Sequence, residues 1–471
     1  MARTLTRREF TGSMAAAVSA LSFGNSIARP QAERPPNIIF IMADDLGYNH
    51  LGCYGQEIIR TPHIDRLASQ GTRFTQFYAG CTVCAPSRCT LMTGMHQGHC
   101  SVRGNSGGIP LRAQDVTVAE VLKQAGYTNG IFGKWGLGDA GTEGVPTRQG
   151  FDEFFGYLDQ VHAHFYYPDY LWHNEEKFPL PGNQDSQQGQ YSHDLIAERA
   201  LQFIRDNQHG PFFCYVAFTI PHTELLVPED SLAEYRGQFD ETPFPGDHYG
   251  AQETPRAAYA AMVTRMDRDV GRILDLLEGL GIANNTVVVF TSDNGGQQSG
   301  AGVDLRFFQG NWPLRGWKGL MYEGGIRVPC IARWLGRVQA GAVSNKVWTH
   351  WDFLPTAAEL AGVQAPSGID GISAVPALLG EIMPARDYLY WEHHRGGDVQ
   401  QAVRMGGWKA LRHGRNEAIE LYYLPTDLGE KFNVAAQTPQ QVARAAELFR
   451  TARTEPPPQV EPETGSESRY R

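Results

Sequence analysis

The sequence predicts an α/β protein with a large, mainly parallel sheet flanked by helices, and a smaller C-terminal antiparallel sheet with a helix. Four apolar runs have strand length and no polar alternation, which is typical of strands buried on both faces. These runs are residues 37–43, 128–132, 211–220 and 286–291. Amphipathic helical patterns lie between them, at residues 116–125, 194–207 and 259–280. Strands that alternate with helices indicate a parallel sheet covered on both faces.

The pattern changes near residue 385, where shorter β-like runs begin. These runs are residues 388–392, 401–405, 407–411 and 420–424, and a helical pattern follows at 439–450. We therefore divide the chain into a main domain at 36–384 and a small C-terminal subdomain at 385–453. The last residues, 454–471, are rich in Pro and Glu, and we expect them to be disordered.

The first 28 residues have the features of an export signal. Arg7 and Arg8 precede a mildly apolar stretch at 14–23, and a small-x-small sequence at 26–28 fits a cleavage site. The paired arginines with their neighbours resemble a twin-arginine signal. We expect an exported protein, in the periplasm or secreted; a disordered basic N-terminus is the alternative.

Charge and cysteine content exclude several classes of protein. The 471 residues carry a formal net charge of −10, and no basic stripe offers contacts for the phosphates of a nucleic acid. No apolar run reaches the roughly 20 residues that a membrane span needs, so we expect no stable membrane insertion. Seven cysteines in a chain of this length are not a disulfide framework, and their odd number leaves a thiol unpaired.

Polar residues follow the four buried runs, at the points where the predicted strands end. They are Asp44, Asp45, Lys134, His222, Asp293 and Asn294. Open α/β sheets bind ligands beyond the carboxyl ends of their strands, so these side chains are expected to converge in one crevice. Three carboxylates and an amide oxygen are hard donors, which favour Ca²⁺, with Mg²⁺ as the second candidate, over Zn²⁺.

One short segment carries the most specific motif in the chain. Residues 84–88 read Cys-Ala-Pro-Ser-Arg, and Thr93 and Gly94 follow. The residues alone also allow a buried structural Cys84, or a redox pair with Cys81. The segment resembles the formylglycine-dependent, Cys-type sulfatases of the alkaline-phosphatase superfamily, which include bacterial arylsulfatases and carbohydrate sulfatases. The resemblance, which extends over about residues 36–434, implies the fold of that superfamily and makes 36–384 a catalytic sulfatase domain.

The resemblance also implies a reaction and a set of site residues. A maturation enzyme would oxidise Cys84 to formylglycine, whose hydrated form attacks a sulfate ester and later expels sulfate. The metal would be held by Asp44, Asp45, Asp293, Asn294 and the modified Cys84. Arg88 would steady the nucleophile, Lys134 and Lys318 would contact sulfate, and His222 would protonate the leaving group.

One position departs from the family pattern. The family commonly reads Gly-Lys-Trp-His-Leu-Gly, but this chain has Gly136 in place of the histidine. His162 and His164 are candidate replacements, and substrate contact or surface packing is their alternative role. Aromatic and His-rich stretches, which include His393, favour a sulfated saccharide as substrate over a simple aryl sulfate.

Two other functions stay open at the level of sequence. A phosphodiesterase or phosphonate hydrolase of the same fold would share much of this site, and would differ in its preference for phosphate esters. A catalytically silent glycan-binding module is also consistent with the loss of the histidine at Gly136, or with a Cys84 that is never oxidised.

Overall fold

The main sheet runs through the centre of the computed structural model, which describes residues 34–105, 109–301, 303–395 and 397–456. The expected export signal at 1–28 lies outside the described residues, as does most of the expected disordered tail, from residue 457 onward. No helix among the described residues is both long enough and apolar enough to span a bilayer.

Seventeen strands and ten α-helices are present in the described parts of the chain. The strands are β1 (Asn37–Ala43), β2 (Thr72–Tyr78), β3 (Thr128–Lys134), β4 (Glu153–Tyr157), β5 (Tyr170–His173), β6 (Glu176–Pro179), β7 (Phe212–Ala217), β8 (Thr286–Ser292), β9 (Ser299–Gly300), β10 (Val303–Asp304), β11 (Arg327–Arg333), β12 (Ala342–Ser344), β13 (Trp348–Thr349), β14 (Leu389–Arg395), β15 (Asp398–Met405), β16 (Trp408–Arg412) and β17 (Glu420–Tyr423). The helices are α1 (Pro62–Gln70), α2 (Cys84–Thr93), α3 (Val118–Gln124), α4 (Ser192–Asn207), α5 (Glu229–Leu232), α6 (Pro255–Gly279), α7 (Glu323–Ile326), α8 (Phe353–Leu360), α9 (Val375–Leu378) and α10 (Pro439–Thr451).

The main sheet has the strand order β12-β2-β11-β8-β1-β7-β3-β4-β5-β6, with β13 also paired to β2. Its centre is parallel, because β1 pairs in parallel with β7 and β8, and β3 with β7 and β4. Strands β11, β5 and β6 add antiparallel pairs towards the edges. The prediction of a mainly parallel sheet is confirmed, and the four buried runs are its central strands.

Strand β1 shows why these strands are apolar at every position. Ile39 and Ile41 point into a core shared with helices α4 and α6, whereas Ile38, Phe40 and Met42 point into a core shared with α2, α3 and α8. Side chains of a strand alternate between its two faces, so a strand covered by helices on both sides must be apolar throughout.

The C-terminal part forms a separate four-stranded antiparallel sheet, in the order β14-β15-β16-β17, as predicted. Helix α10 packs on it through Ala445 and Phe449, which contact Tyr390 and Val403 in one apolar cluster. The indole Nε1 of Trp391 in β14 donates a hydrogen bond of 2.9 Å to the carbonyl of Ala79, the residue directly after β2. The small sheet is therefore tied to the segment that leads into α2.

Candidate active site

Three carboxylates meet where β1 and β8 end. The two strands pair in parallel up to Ala43 and Ser292, so the residues that follow them leave the sheet side by side. Asp45 N–H donates to Asp293 Oδ1 at 3.1 Å, and Asp293 N–H donates to the Ala43 carbonyl at 3.1 Å. Asp44, Asp45 and Asp293 are all buried, with at most 2% of their surface exposed. The parallel register thus fixes the spacing of an anionic cluster.

The first turn of α2 brings Cys84 onto this cluster. Its Sγ lies 3.4 Å from Asp44 Oδ1 and 3.9 Å from Asp45 Oδ1. Val83, the residue before α2, has no side chain that can cap the helix. Instead, Asn105 Oδ1 accepts a hydrogen bond of 2.9 Å from Ala85 N–H in the first turn. Burial and the charge of Asp44 raise the pKa of the Cys84 thiol. An unmodified Cys84 is therefore a neutral thiol at physiological pH and a poor nucleophile.

Arg88 lies one turn further along α2 and points back to the same carboxylates. Its Nη2 and Nε donate to Asp293 Oδ2 at 2.8 and 3.2 Å, and its Nη1 donates to the Lys134 carbonyl at 2.8 Å. The side chain is 1% exposed. Arg88 therefore joins the helix that carries Cys84 to the ends of β3 and β8.

Two lysines balance the remaining carboxylates. Lys134, the last residue of β3, donates from Nζ to Asp44 Oδ2 at 2.5 Å, and Lys318 donates from Nζ to Asp45 Oδ2 at 2.8 Å. Burial disfavours both ammonium groups, but the adjacent carboxylates outweigh it and raise the pKa of each lysine. Both side chains therefore remain cationic at neutral pH, and can attract an anion.

The donor atoms of this cluster fit a divalent cation. One ligand atom from each of Asp44, Asp45, Cys84 and Asp293 lies within 4.8 Å of the others. Asn294 Nδ2 donates to Asp45 Oδ1 at 2.7 Å, while its Oδ1 is buried and has no hydrogen-bond partner among the described residues. This amide oxygen and the three carboxylates together are hard oxygen donors, the kind that Ca²⁺ and Mg²⁺ prefer.

The pKa values of the three carboxyl groups shift in different directions. Burial opposes the ionisation of Asp44, but Lys134 and His222 hold its pKa well below the usual value. Burial raises the pKa of Asp45 in spite of Lys318, and burial together with Asp44 raises the pKa of Asp293 to about 6. Three carboxylates this close repel one another. A cation among them would favour the fully ionised state.

His222 and His164 form a stacked pair beside the lysines. Their ring centroids are 4.1 Å apart with 14° between the planes, and His222 Nε2 lies 3.5 Å from Asp45 Oδ2. Burial and Lys318 hold the pKa of His222 well below its usual value. His162 packs instead against the rings of Tyr157 and Tyr170. Of the two histidines proposed to replace the family residue, His164 has the contact with His222.

Comparison with known proteins decides the family. The protein-family model described as Sulfatase matches residues 36–363. A second family model, described as N-sulphoglucosamine sulphohydrolase, C-terminal, matches residues 315–451. This chain belongs to the sulfatase family. It is an enzyme that hydrolyses sulfate esters, and its predicted fold and family are both confirmed.

Relatives of this sulfatase act on sulfated compounds. It is 34% identical to N-acetylgalactosamine-6-sulfatase of Canis lupus familiaris, over 80% of this chain and 72% of the relative. It is 33% identical to Arylsulfatase A of Homo sapiens, over 91% of this chain and 89% of the relative. The solved structure of Ps i-CgsB in complex with k-i-k-neocarrahexaose superposes with a TM-score of 0.78 at 30% identity, covering 93% of this chain and 97% of the other.

Gly136, where this sulfatase lacks the family histidine, has its space filled by Gln160. Gly136 has a φ of +73°, and a Cβ built on it would lie 2.6 Å from Gln160 Oε1. Gln160 is 2% exposed, and its Nε2 donates to Asn105 Oδ1 at 3.4 Å. Its Oε1 is buried without a hydrogen-bond partner among the described residues. A buried amide thus occupies the space beside the position where the family has an imidazole.

Gln297 and His350 contact the site but carried no sequence signal of their own. Gln297 Nε2 donates to Asp45 Oδ2 at 2.5 Å, and His350 Nδ1 lies 3.1 Å from Oγ of Ser87 in α2. His393, predicted to contact substrate, is buried in β14, with its Nδ1 3.4 Å from Thr82 Oγ1.

A second group of metal-type side chains lies near the end of α2. His96, His99 and Asp370 each offer a ligand atom within 4.8 Å of the others. However, His96 Nδ1 accepts a hydrogen bond of 3.1 Å from Gly98 N–H, so the neutral ring carries its proton on Nε2. Burial lowers the pKa of His96 to about 4, so the ring stays neutral, and the nitrogen that lies 3.5 Å from Asp370 Oδ1 is the protonated Nε2, which has no lone pair for a metal. We interpret this group as a hydrogen-bonded cluster and not as a metal site.

Proposed function

We propose that this sulfatase cleaves sulfate from a sulfated saccharide, with Cys84 as the residue that is converted to formylglycine. The observation that carries the proposal is the position of Cys84 Sγ, 3.4 Å from Asp44 in a cluster of three buried carboxylates and three cations. A neutral, buried thiol has no evident use there, whereas an aldehyde at the same carbon would, once hydrated, supply an oxygen nucleophile next to a metal site.

Arg88, Lys134 and Lys318 have distinct tasks in this mechanism. Arg88 holds Asp293 and the end of β3 in place, so it orients both the nucleophile and the metal ligands. Lys134 and Lys318 keep their positive charge and bind Asp44 and Asp45, the two carboxylates next to Cys84. There they would contact sulfate oxygens and stabilise the charge that develops as the ester bond breaks. Because these groups are fixed by buried contacts, they need little reorganisation during the reaction.

We propose Ca²⁺ as the native ion, held by Asp44, Asp45, Asp293 and Asn294, with Mg²⁺ as the alternative. When bound, such an ion would lower the pKa of the attacking hydroxyl and offset the charge of the sulfate. The buried Asn294 Oδ1 and the raised pKa values of Asp45 and Asp293 support an ion at this position. The chain supplies only oxygen ligands besides residue 84, which disfavours zinc.

His222 is proposed to protonate the leaving alkoxide. Burial and the neighbouring lysines depress its pKa when the site holds no substrate. The negative charge of a bound sulfate ester acts in the opposite direction, and would favour the imidazolium that the step needs. His164, stacked on His222, would keep that ring in a fixed plane, and it stays a candidate for the base that Gly136 lacks.

The remaining parts of the proposal concern processing and organisation. We propose that residues 1–28 direct export to the periplasm or the medium, and that a formylglycine-generating enzyme converts Cys84. We also propose that residues 36–384 form the catalytic domain and 385–453 a small subdomain. Strand β14 would contribute His393 to the substrate side of the site.

Peptide mass spectrometry and sulfate release together test this proposal. In protein from the exported fraction, the peptide with Cys84 should be about 18 Da lighter than the thiol form, a loss outside the usual ladder of thiol oxidation. Cys84→Ala should reduce sulfate release from a sulfated saccharide by at least about 10³-fold. Cys89→Ala, on the same buried helix, is the matched control and should keep both the conversion and the turnover.

Three outcomes would overturn the proposal. An unmodified Cys84 in a fully active enzyme would remove formylglycine as the nucleophile. Faster turnover of phosphate diesters or phosphonates than of sulfate esters would indicate the competing hydrolase. Retained saccharide affinity without any turnover would indicate a silent binding module.

A further inference from the structure

Gln297 joins the cluster of carboxylates to the segment that carries the proposed acid. Its Nε2 donates to Asp45 Oδ2 at 2.5 Å, and its Oε1 accepts a hydrogen bond of 2.9 Å from Thr223 Oγ1. Asp45 is one of the carboxylates that could hold a cation, and Thr223 directly follows His222 in the chain. One side chain therefore spans two parts of the site that the mechanism needs together.

The partners of Gln297 fix the orientation of its amide. An ionised carboxylate can only accept hydrogen bonds, so the NH₂ group must face Asp45. The amide oxygen then faces Thr223 and accepts its hydroxyl proton. A reversed amide would place two acceptor oxygens against each other. Both ends of the amide are thus used, and the length of one glutamine side chain sets the separation of Asp45 from Thr223.

His222 depends on such a connection because its own ring makes few hydrogen bonds. Its Nδ1 is buried and has no hydrogen-bond partner among the described residues, and its Nε2 lies 3.5 Å from Asp45 Oδ2. Tyr166 Oη donates to the carbonyls of Thr219 at 3.0 Å and His222 at 2.6 Å, which fixes the backbone that leads to the ring. The bond from Thr223 to Gln297 fixes the residue that follows it.

The chain after Gln297 also packs closely on Thr223. A Cβ built on Gly300, in β9, would lie 2.4 Å from Thr223 Cγ2 and 2.5 Å from Thr223 Oγ1, so a glycine is needed for this approach. Thr223 is 2% exposed. A buried hydroxyl that lost its partner would have no water to replace it, and leaving it unpaired costs free energy. The bond between Thr223 and Gln297 is therefore expected to persist.

A neutral amide suits this position better than a charged side chain. Asp45 Oδ2 also accepts a hydrogen bond of 2.8 Å from Lys318 Nζ. A second ammonium group here would compete with a metal ion for Asp45, and a carboxylate would repel it. Gln297 instead adds a hydrogen bond to Asp45 and leaves the charge balance of the cluster unchanged.

We infer that Gln297 is a positioning residue, which holds His222 in place relative to the metal ligand Asp45 through the hydroxyl of Thr223. The inference deepens the proposed sulfatase reaction and rests on it. A general acid acts only when its proton is within hydrogen-bond reach of the departing oxygen. The cationic cluster would place the sulfate group, and the segment around His222 would place the acid, so the two must be held at a fixed separation.

The inference also states which substrates need this connection. The alkoxide of a sugar is a poor leaving group and requires a well-placed acid, whereas a nitrophenolate departs with little protonation. Loss of the connection should therefore slow the hydrolysis of a sulfated saccharide much more than that of 4-nitrophenyl sulfate. A general loss of structure would slow both reactions alike.

Two nearly isosteric variants test the two ends of the connection. Thr223→Val keeps the bond between Gln297 and Asp45, and should lower kcat for a sulfated saccharide by about tenfold, but kcat for 4-nitrophenyl sulfate by less than about twofold. Gln297→Met removes both bonds. It should show the same selective loss, and should also weaken Ca²⁺ binding by about tenfold in calorimetry, because a metal ligand loses a hydrogen-bond partner. Thr223→Val should leave Ca²⁺ affinity unchanged.

Gln298→Met is the matched control, since Gln298 is the next residue and is half-exposed. It should retain Ca²⁺ affinity and the turnover of both esters. The double variant of Gln297 and Thr223 should lose no more saccharide turnover than Gln297→Met alone, because both changes break one contact.

The outcomes separate this inference from the proposed reaction. Equal losses for the two esters, or losses that multiply in the double variant, would overturn the role of Gln297 while sulfate release by the wild type would still support the reaction. Unchanged Ca²⁺ affinity in Gln297→Met would also overturn that role. A wild-type enzyme that releases no sulfate from either ester would overturn the proposed reaction, and the inference with it.

Discussion

Replacement of Gly136 by alanine is the sharpest test of the site's geometry at the position where the sequence departs from its family. The backbone at Gly136 is in the left-handed region, with φ +73°. The added Cβ would also lie 2.6 Å from Gln160 Oε1, closer than any normal contact. The substitution therefore has two costs, one from the backbone and one from the displaced amide.

The backbone cost and the cost of displacing Gln160 can each be estimated as a loss in the free energy of unfolding. A residue with a Cβ costs about 1–2 kcal/mol in the left-handed region. Displacement of Gln160 gives up its hydrogen bond to Asn105 and some packing, about 1 kcal/mol more. Gly136→Ala should thus lower the free energy of unfolding by about 2–3 kcal/mol. In a Gln160→Ala background only the backbone cost of about 1–2 kcal/mol should remain.

Urea unfolding of the two single variants and the double variant measures this coupling. Gly141→Ala is the matched control, because Gly141 has φ +84° and no atom within 4 Å of a Cβ built there. It should show the backbone cost alone, whether or not Gln160 is present. An equal loss for Gly136→Ala in both backgrounds would refute the claim that Gln160 occupies this space.

Two further predictions concern metal and pH. Ca²⁺ at 100 times its dissociation constant should stabilise the protein by about 2.7 kcal/mol in urea unfolding, and Asp293→Asn should remove most of that gain. Burial opposes ionisation of Glu392, but His394, Arg453 and Arg103 lower its pKa from 4.5 to about 2. Its contribution of about 3 kcal/mol is therefore present above pH 4.5 and lost as the pH falls towards 2, so Glu392→Gln should flatten unfolding stability over that range.

The central strands were predictable because their pattern has one cause. A strand covered by helices on both faces must be apolar at every position, and β1 shows this directly. The edge strands were not predicted: β5 and β6 are four residues each, every side chain except Leu171 is half-exposed or exposed, and neither strand has a continuous apolar run. Their position depends on pairing with β4, a contact between segments that local sequence does not reveal.

The site was predictable where residues follow strands, and less so where loops fold back on it. Asp44 and Asp293 converge because parallel strands end at one edge of the sheet. Lys318 was recognised by its motif, although no strand precedes it. Gln297 and Gln160 went unnoticed, since a glutamine in a loop has no local pattern that distinguishes a buried role from a solvated one.

Charge balance connects the site with the rest of the molecule. Asp44, Asp45 and Asp293 are offset by Arg88, Lys134 and Lys318, so the ionised cluster carries no surplus charge of its own. The chain as a whole has a formal net charge of −10, so its overall charge does not attract a sulfate ester. A divalent cation in the cluster would supply the surplus positive charge that an anionic substrate needs. Affinity for sulfate esters should therefore follow occupancy of the metal site, because the same ion that completes the oxygen ligands also makes the centre cationic.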